Sequence, residues 1–343
     1  MDRRMTLTIW HVGGESSPQA VNGVNSAVWA LANRQAEEGH RVTVICRRTF
    51  ERHLGGVVVS TYRHAIWMRR FPDVIHMHSV FVPQQALLAL LAKLRGVPYV
   101  ITPHGGLMPQ ILERHGLAKR VYRRIVERSR LRGAHGILAV AFREKMDIQS
   151  FAGADIAVHV IPNPVETPRA ESPVEALDPE AQEVVFLGRI ERHWKGLDRV
   201  IELARLLPEI SFSFYGEGGW SGDLPQNVKI RPPIFGEQKT RTLQRSRALI
   251  HLPRWEVFGI SVIEAMRAGI PVIASRDMYL ADELESSGAL VLDLVDLQED
   301  ASVVREALRA GRGRPPYDPQ FLAKFDISTV TSSTVAVYRD AVE

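Results

Sequence analysis

The feature that most limits what this chain can fold into is an alternation of short apolar runs with helix-periodic stretches, and it occurs twice. In the first half LTIWHV (7–12) reads as a buried strand, and a Pro/Gly/Asn-rich loop follows it. A helix is predicted from about Val24 to Glu38, ended by Gly39, with RVTVIC (41–46) as the next strand. VIHMH (74–78), PYVIT (98–102), GILAV (136–140) and HVIP (159–162) continue the series. The second half restarts it with VVFLG (184–188), ISFSFYG (210–216), NVKIRP (227–232), ALIHLP (248–253), IPVIA (270–274) and ALVLD (289–293). Strands separated by helices imply an α/β fold whose parallel sheets are covered on both faces. Residues 166–182 carry three prolines and no periodicity, as an interdomain linker would. The expected organisation is two doubly wound domains, 1–165 and 183–325, with a closing helix over 326–343. Ligands of such folds bind beyond the carboxyl ends of the strands.

Composition narrows the function classes. At 343 residues, 45% hydrophobic and 24% charged, the chain has the makeup of a soluble enzyme large enough for two cores. A net charge of only +4 argues against a nucleic-acid partner. The single cysteine, Cys46, admits no internal disulfide and no cysteine zinc site, which points to a reducing, cytoplasmic setting. Arg3 and Arg4 precede an apolar run that His11 and Gly13 end too early for a signal peptide. The stretch Ala86 to Ala92 falls far short of the roughly 20 residues of a membrane span.

Four clusters in the second half suit a phosphorylated ligand. Gly188-Arg189 and Lys195-Gly196 place two cations on a loop between a strand and a helix, where Arg can fork onto a diphosphate and Lys can act as a point charge; a solvated basic loop would look the same. Tyr215-Gly216-Glu217-Gly218-Gly219 is a glycine-rich turn that allows close backbone approach, or an ordinary turn. In the string from Glu256 to Val272 a loop carrying Glu256 enters a helix near Gly259, Ile260 and Ser261, whose amides suit a phosphate. Glu256 and Glu264 are spaced to accept from two sets of sugar hydroxyls; alternatively Ser261 and Glu264 form a capping box. Ile161-Pro162-Asn163-Pro164-Val165 marks a strand leaving the first domain.

Glu256 and Glu264, as E-x7-E within ExFGxxxxEAMxxGxPV, together with the upstream G-R…K-G, resemble the retaining glycosyltransferases of family four, which have the GT-B fold. The resemblance extends to PQAVNGVNSAVWALANRQAEEGHRVTV (18–44), PDVIHMH, IPNPVE, FYGEGG and the C-terminal FDISTVTSSTVAVYRDAVE, and so covers nearly the whole chain. ITPHGGLMPQ (101–110) is similar to members that build bacterial surface polysaccharides. The resemblance implies two Rossmann-like domains facing a cleft, with the first on the acceptor side and the second binding a nucleoside diphosphate sugar as co-substrate. It implies that Arg189 and Lys195 hold the diphosphate, Glu264 the ribose, and Glu256 the transferred sugar. Gly23, Gly188, Gly216 and the amides of Gly259, Ile260 and Ser261 would approach the donor, and His104 would touch the sugar near the reacting centre. It further implies transfer with retention of configuration, without metal or other cofactor, to a glycan, lipid-linked or small-molecule acceptor. Base contacts are expected between Arg231 and Phe235. The first loop departs from the family in carrying Asn22-Gly23 in place of a double glycine, and the Arg189-to-Lys195 loop carries His193-Trp194, a bulky pair of unassigned purpose. A GT-B epimerase or phosphorylase, or a catalytically silent nucleotide-sugar-binding partner, would share the architecture.

Between Arg114 and Arg132 eight cations face one acid, Glu127. Leu117, Val121, Ile125 and Val126 recur at helical spacing, predicting a basic amphipathic helix. Three readings stand open here: an apolar stripe packed on the domain with a solvated basic face, an acceptor site using Lys119 or Arg120, or a face with Arg123 and Arg124 docked on an anionic inner-membrane surface.

Overall fold

The structure, a computed structural model, describes residues 6–15, 23–49, 52–113, 121–165, 183–310 and 317–343. The proposed linker 166–182 and the residues Lys119 and Arg120 lie outside the described residues. The chain divides into two compact units, Met1–Pro164 with Ile327–Glu343, and Val165–Asp326.

Unit 1 is built on an eight-stranded sheet of β1 (Thr8–Val12), β2 (Arg41–Cys46), β3 (His53–Leu54), β4 (Val57–Thr61), β5 (Val74–His78), β6 (Tyr99–Thr102), β7 (Gly136–Ala139) and β8 (Val158–Val160), in the order β3-β4-β2-β1-β5-β6-β7-β8. All neighbours are parallel except β3 and β4. The β3–β4 hairpin was not anticipated from the sequence, although Gly55-Gly56 ahead of VVVST is a turn followed by a β-branched run. The order reverses direction between β1 and β5, the switch point at which crossovers diverge and leave a crevice. β1, β5 and β6 are buried on both faces, and their Ile9, Val12, Ile75, Met77 and Ile101 are wholly buried. Each such side chain contributes about 1.5–3 kcal/mol over leaving it in water. The helix Ile327–Val342 adds Val330, Val335, Val337 and the fully buried Tyr338 to the same core as Leu7, Ile9 and Val100.

A row of histidines interrupts this core. His76 and His78 stand two apart on β5 and so share a face, and His11 on β1 lies opposite His76 in register. All three are buried.

Unit 2 carries a six-stranded parallel sheet of β9 (Glu183–Leu187), β10 (Ser211–Tyr215), β11 (Val228–Arg231), β12 (Ala248–His251), β13 (Val272–Ser275) and β14 (Leu290–Leu292). Its order is β11-β10-β9-β12-β13-β14, with the switch between β9 and β12. Phe186, Phe212 and Phe214 from β9 and β10 centre its core with Leu197, Val200 and Ile250. The loops leaving β9 and β12 therefore diverge from one crevice, and they hold most of the charged residues singled out in the sequence.

Candidate functional site

The crevice in unit 2 begins with two glycine turns pressed together. The Gly188 amide donates to the Tyr215 carbonyl at 3.1 Å and the Ile190 amide to that of Glu217 at 2.7 Å. A Cβ on Gly216 would fall 1.7 Å from the Gly188 oxygen, so only glycine lets the turns after β9 and β10 meet. Arg189 projects from this junction, exposed, and among the described residues it enters no ion pair.

Beyond it the loop is set by one carboxylate. Glu191 accepts from the amides of His193, Trp194 and Lys195 at 3.1, 2.6 and 3.0 Å. The bulky pair His193-Trp194 packs against Trp255, with ring centroids 5.1 and 4.6 Å from it. Arg254 donates to the His193 carbonyl and to Asp198 at 3.0 and 2.7 Å. The pair is thus the clasp that ties the loop after β9 to the loop after β12.

That clasp brings Lys195 to Glu256, Nζ to Oε2 at 2.5 Å, and His251 Nε2 reaches the same oxygen at 3.3 Å. Burial would raise the Glu256 pKa, but the Lys195 ammonium and the His251 contact outweigh it and hold the carboxyl well below the usual range. His251 itself is lowered by burial, partly offset by Glu256. A neutral His251 that donates from Nε2 gives Glu256 a hydrogen bond without adding charge. The ring stacks on Phe186.

The helix Ile260–Arg267 starts from Gly259, whose φ of 75° is left-handed, and no side chain caps that end. Ser261 lies inside the first turn rather than at the cap, so the capping box with Glu264 does not form. Glu264 instead receives Lys239 Nζ at 2.5 Å, from the helix Gly236–Gln244. Lys239 carries no sequence signal, because the pairing joins residues 25 apart on different helices. In the stretch expected to meet a base, Arg231 is already engaged with Ser213 and Glu183 at 3.1 and 3.4 Å.

In unit 1, His104 follows β6 with φ 50°, and Ser79 and Phe81 after β5 have φ 75° and 62°. Three non-glycine residues in the left-handed region at the ends of adjacent strands are backbone strain of the kind found at binding sites. Two buried groups hold it. Glu144 accepts from the amides of Gly105 and Val140 at 2.5 and 2.7 Å, and burial, partly offset by those bonds, raises its pKa to about 7. Arg130 donates to the Ser79 carbonyl at 3.1 Å while pairing with Glu127. Gly23 is exposed at the first position of the helix Gly23–Glu37.

The basic segment departs from the expected stripe. A π turn, Arg123–Glu127, leads into the helix Arg128–Arg132, and it is Glu127, Arg130 and Leu131 that are buried. Val121, Ile125 and Val126 are instead exposed. The extra residue of a π turn rotates the following side chains, which puts the acid and one arginine where the stripe was expected. Arg123 donates to the Leu112 carbonyl and lies over the Phe81 ring. With Arg124 and Arg128 it borders a groove of about 580 Å³ that also includes Leu107, Leu112 and Phe151.

Residues 21–169 match the family model for Glycosyltransferase Family 4, and residues 169–307 match that for Glycosyl transferases group 1. The chain is 26% identical to a phosphatidyl-myo-inositol mannosyltransferase of Mycolicibacterium smegmatis, with 92% of this chain and 89% of the relative covered. Among solved structures it is similar to Anabaena HepE in complex with UDP-glucose (TM-score 0.77, 16% identity, 97% of this chain and 100% of that one covered). It is also similar to a sucrose-phosphate synthase from Thermosynechococcus elongatus (TM-score 0.76, 18% identity, 97% and 98% covered). With these two adjoining models across residues 21–307, and the strand orders described above, the chain is a glycosyltransferase with a Glycosyltransferase Family 4 domain, a Glycosyl transferases group 1 domain and the GT-B fold.

Proposed function

We propose that this chain transfers a hexose from a nucleoside diphosphate sugar to a glycan, lipid-linked or small-molecule acceptor, with retention of anomeric configuration and without a metal. The observation that carries the reading is the crevice between β9 and β12, where Arg189, the Lys195–Glu256 pair and the uncapped helix start at Gly259 converge within one unit. Breaking a sugar–phosphate bond leaves negative charge on the departing nucleotide. Arg189, Lys195 and the amides of Ile260 and Ser261 stabilise it electrostatically. Gly188, Gly216 and Gly23 let the diphosphate approach the backbone. Glu264, held by Lys239, receives the ribose hydroxyls; Glu256, kept ionised, receives hydroxyls of the transferred sugar. His104 supplies a contact to that sugar. The relatives named above include an enzyme that mannosylates a lipid and a protein that holds UDP-glucose, which agrees with this donor class.

The test is a melting-temperature screen with UDP-, GDP-, ADP- and dTDP-hexoses, followed by NMR of the product's anomeric carbon. A ligand at 100 times its Kd adds about 2.7 kcal/mol of stability. No stabilisation by any of them, or an inverted product, would refute the reading.

A second feature bears on the acceptor. Val121, Ile125 and Val126 lie exposed beside Arg124 and Arg128, so the apolar and basic side chains reach solvent together. That combination suits an anionic lipid surface, where each cation contributes about 1 kcal/mol. We assign this face to docking on the membrane that would carry a lipid-linked acceptor.

A further inference from the structure

The buried histidines of unit 1 form a chain of hydrogen bonds. Gln35 Oε1 lies 2.7 Å from His11 Nε2, His11 Nδ1 lies 3.0 Å from His78 Nε2, and His78 Nδ1 lies 3.0 Å from His104 Nε2. The rings are nearly parallel, at 20° and 22° between neighbours. His76 stands beside the row, bonded through Nδ1 to the Tyr338 hydroxyl at 2.6 Å and through Nε2 to Thr102 at 2.7 Å.

Nitrogens of His11, His76 and His78 come within 4.8 Å of one another, near enough to share a metal ion. All six of their ring nitrogens, however, already have hydrogen-bond partners within the protein. An ion here would have to displace several of those bonds, so the arrangement is better read as a relay.

A relay of neutral imidazoles has a direction, because each ring donates from one nitrogen and accepts at the other. Burial holds these rings neutral: His11 and His104 are pushed down to about 4, and His76 and His78 lie well below the ordinary value. The Gln35 carbonyl oxygen can only accept, which makes His11 Nε2 the donor and leaves His11 Nδ1 bare. His78 must then donate from Nε2 and accept at Nδ1, and His104 must donate from Nε2. The direction set at Gln35 arrives, three bonds later, as a lone pair on His104 Nδ1. That nitrogen is shielded from solvent and has no partner among the described residues.

We propose that Gln35, His11 and His78 are positioning residues for His104, fixing it as the Nε2–H tautomer so that its bare Nδ1 accepts a hydrogen bond from a hydroxyl of the bound sugar. The sugar contact rests on the role given to His104 above, whereas the tautomer does not. Fixing the ring in advance spares the site from choosing a tautomer when ligand arrives, and a hydroxyl is the partner it selects. A carbonyl or phosphate oxygen in that place would meet a lone pair.

The experiment is long-range proton–nitrogen correlation NMR of the full chain labelled with 15N-histidine, at pH 7.5 and without ligand. His104, assigned by its loss in His104→Gln, is expected with Nε2 protonated and Nδ1 bare; an Nδ1–H ring would overturn the proposal. Gln35→Met removes the acceptor that sets the direction, and should give His104 a mixture of tautomers with kcat/KM for the nucleotide sugar selected by the screen lowered about tenfold. An unchanged single tautomer in a folded Gln35→Met would also overturn it. Adding that nucleotide sugar should shift the His104 Nδ1 resonance of the wild type, whereas the matching nucleoside diphosphate should not. A shift from the diphosphate alone would remove the sugar contact while leaving the relay. Failure of every nucleotide sugar to bind would count against the proposed function and not against the tautomer. Stoichiometric Zn2+ binding abolished by His11→Asn would replace the relay with a metal site.

Discussion

The histidine row of unit 1 and the crevice of unit 2 handle buried polar groups in opposite ways. The row keeps His11, His76, His78 and His104 neutral and engages their nitrogens with one another and with Gln35, Thr102 and Tyr338, whereas the crevice holds Glu256 and Glu264 against lysines. A neutral relay orients a donor or acceptor without attracting charge, as suits a sugar hydroxyl. Paired ions place cations where a diphosphate can compete for them, at the cost of leaving a partly buried carboxylate behind if the lysine is lost. The contrast predicts which substitutions damage chemistry alone and which damage the fold as well.

The largest effect is expected for Lys195→Ala. Turnover should fall about 100-fold or more, a loss of about 3 kcal/mol in stabilising developing charge. Unit 2 should also lose roughly 2 kcal/mol of stability, because Glu256 keeps only His251. Arg189→Ala should cost a similar factor in turnover with no change in melting temperature, since the exposed side chain supports no ion pair among the described residues. Steady-state kinetics with calorimetry on both variants separates the two; equal melting behaviour would break the contrast. Next comes Glu264→Gln, expected to weaken nucleotide binding about tenfold by calorimetric titration. A drop in melting temperature with unchanged affinity would make the Lys239–Glu264 pair purely structural.

The pH dependence sharpens the comparison further. Burial lowers the pKa of His11, His76, His78 and His104, so the unfolded chain takes up protons below about pH 6.5 that unit 1 refuses. Their contribution is complete above pH 6.5 and is lost as the pH falls, until about pH 4 for His11 and His104. Glu144 has the opposite sign. With its pKa raised to about 7 from 4.5, it favours unfolding above pH 7, and that penalty fades as the pH falls toward 4.5. Glu144→Gln should therefore make the decline of the unit 1 melting temperature between pH 7 and 5 steeper. Over the same interval unit 2 has His251 alone among the histidines with a lowered pKa, and its decline should be shallower. A steeper loss in unit 2 would break the contrast between the neutral row and the ionic crevice. The smallest effect is expected at the membrane: changing Arg123, Arg124 and Arg128 together to Ser should remove only the salt-sensitive part of liposome co-sedimentation. Equal binding to neutral and anionic vesicles would leave this segment a structural element of unit 1.

The strands were legible because a strand buried on both faces is a continuous apolar run, and such runs do not depend on distant partners. The residue types of the unit 2 crevice were legible for a related reason: Arg189, Lys195, Glu256 and Gly259 sit in loops that immediately follow strands. What could not be read is pairing across the sequence. The relay joins residues 24, 67 and 26 positions apart, and nothing local to Gln35 announces His11. One clue was available, since VIHMH and ALIHLP each put histidine inside an apolar strand, where a polar residue needs a partner. The basic segment misled because its hydrophobic spacing suggested burial, while Arg130 and Glu127 took the core positions by satisfying each other.

One feature of the chain's path bears on how the protein comes to exist. Unit 1 is discontinuous, and Tyr338, bonded to His76 in its core, is synthesised only after the whole of unit 2. As the polypeptide leaves the ribosome, the first sheet must therefore wait with an open face where Val330, Val335 and Tyr338 will lie. Unit 2, being continuous, holds all the residues of its own core before residue 327 is added. Domains tend to fold in order of emergence, but here the first unit to begin is the last to finish. Nascent chains arrested just short of residue 327 should resist protease in unit 2 and be cut in unit 1.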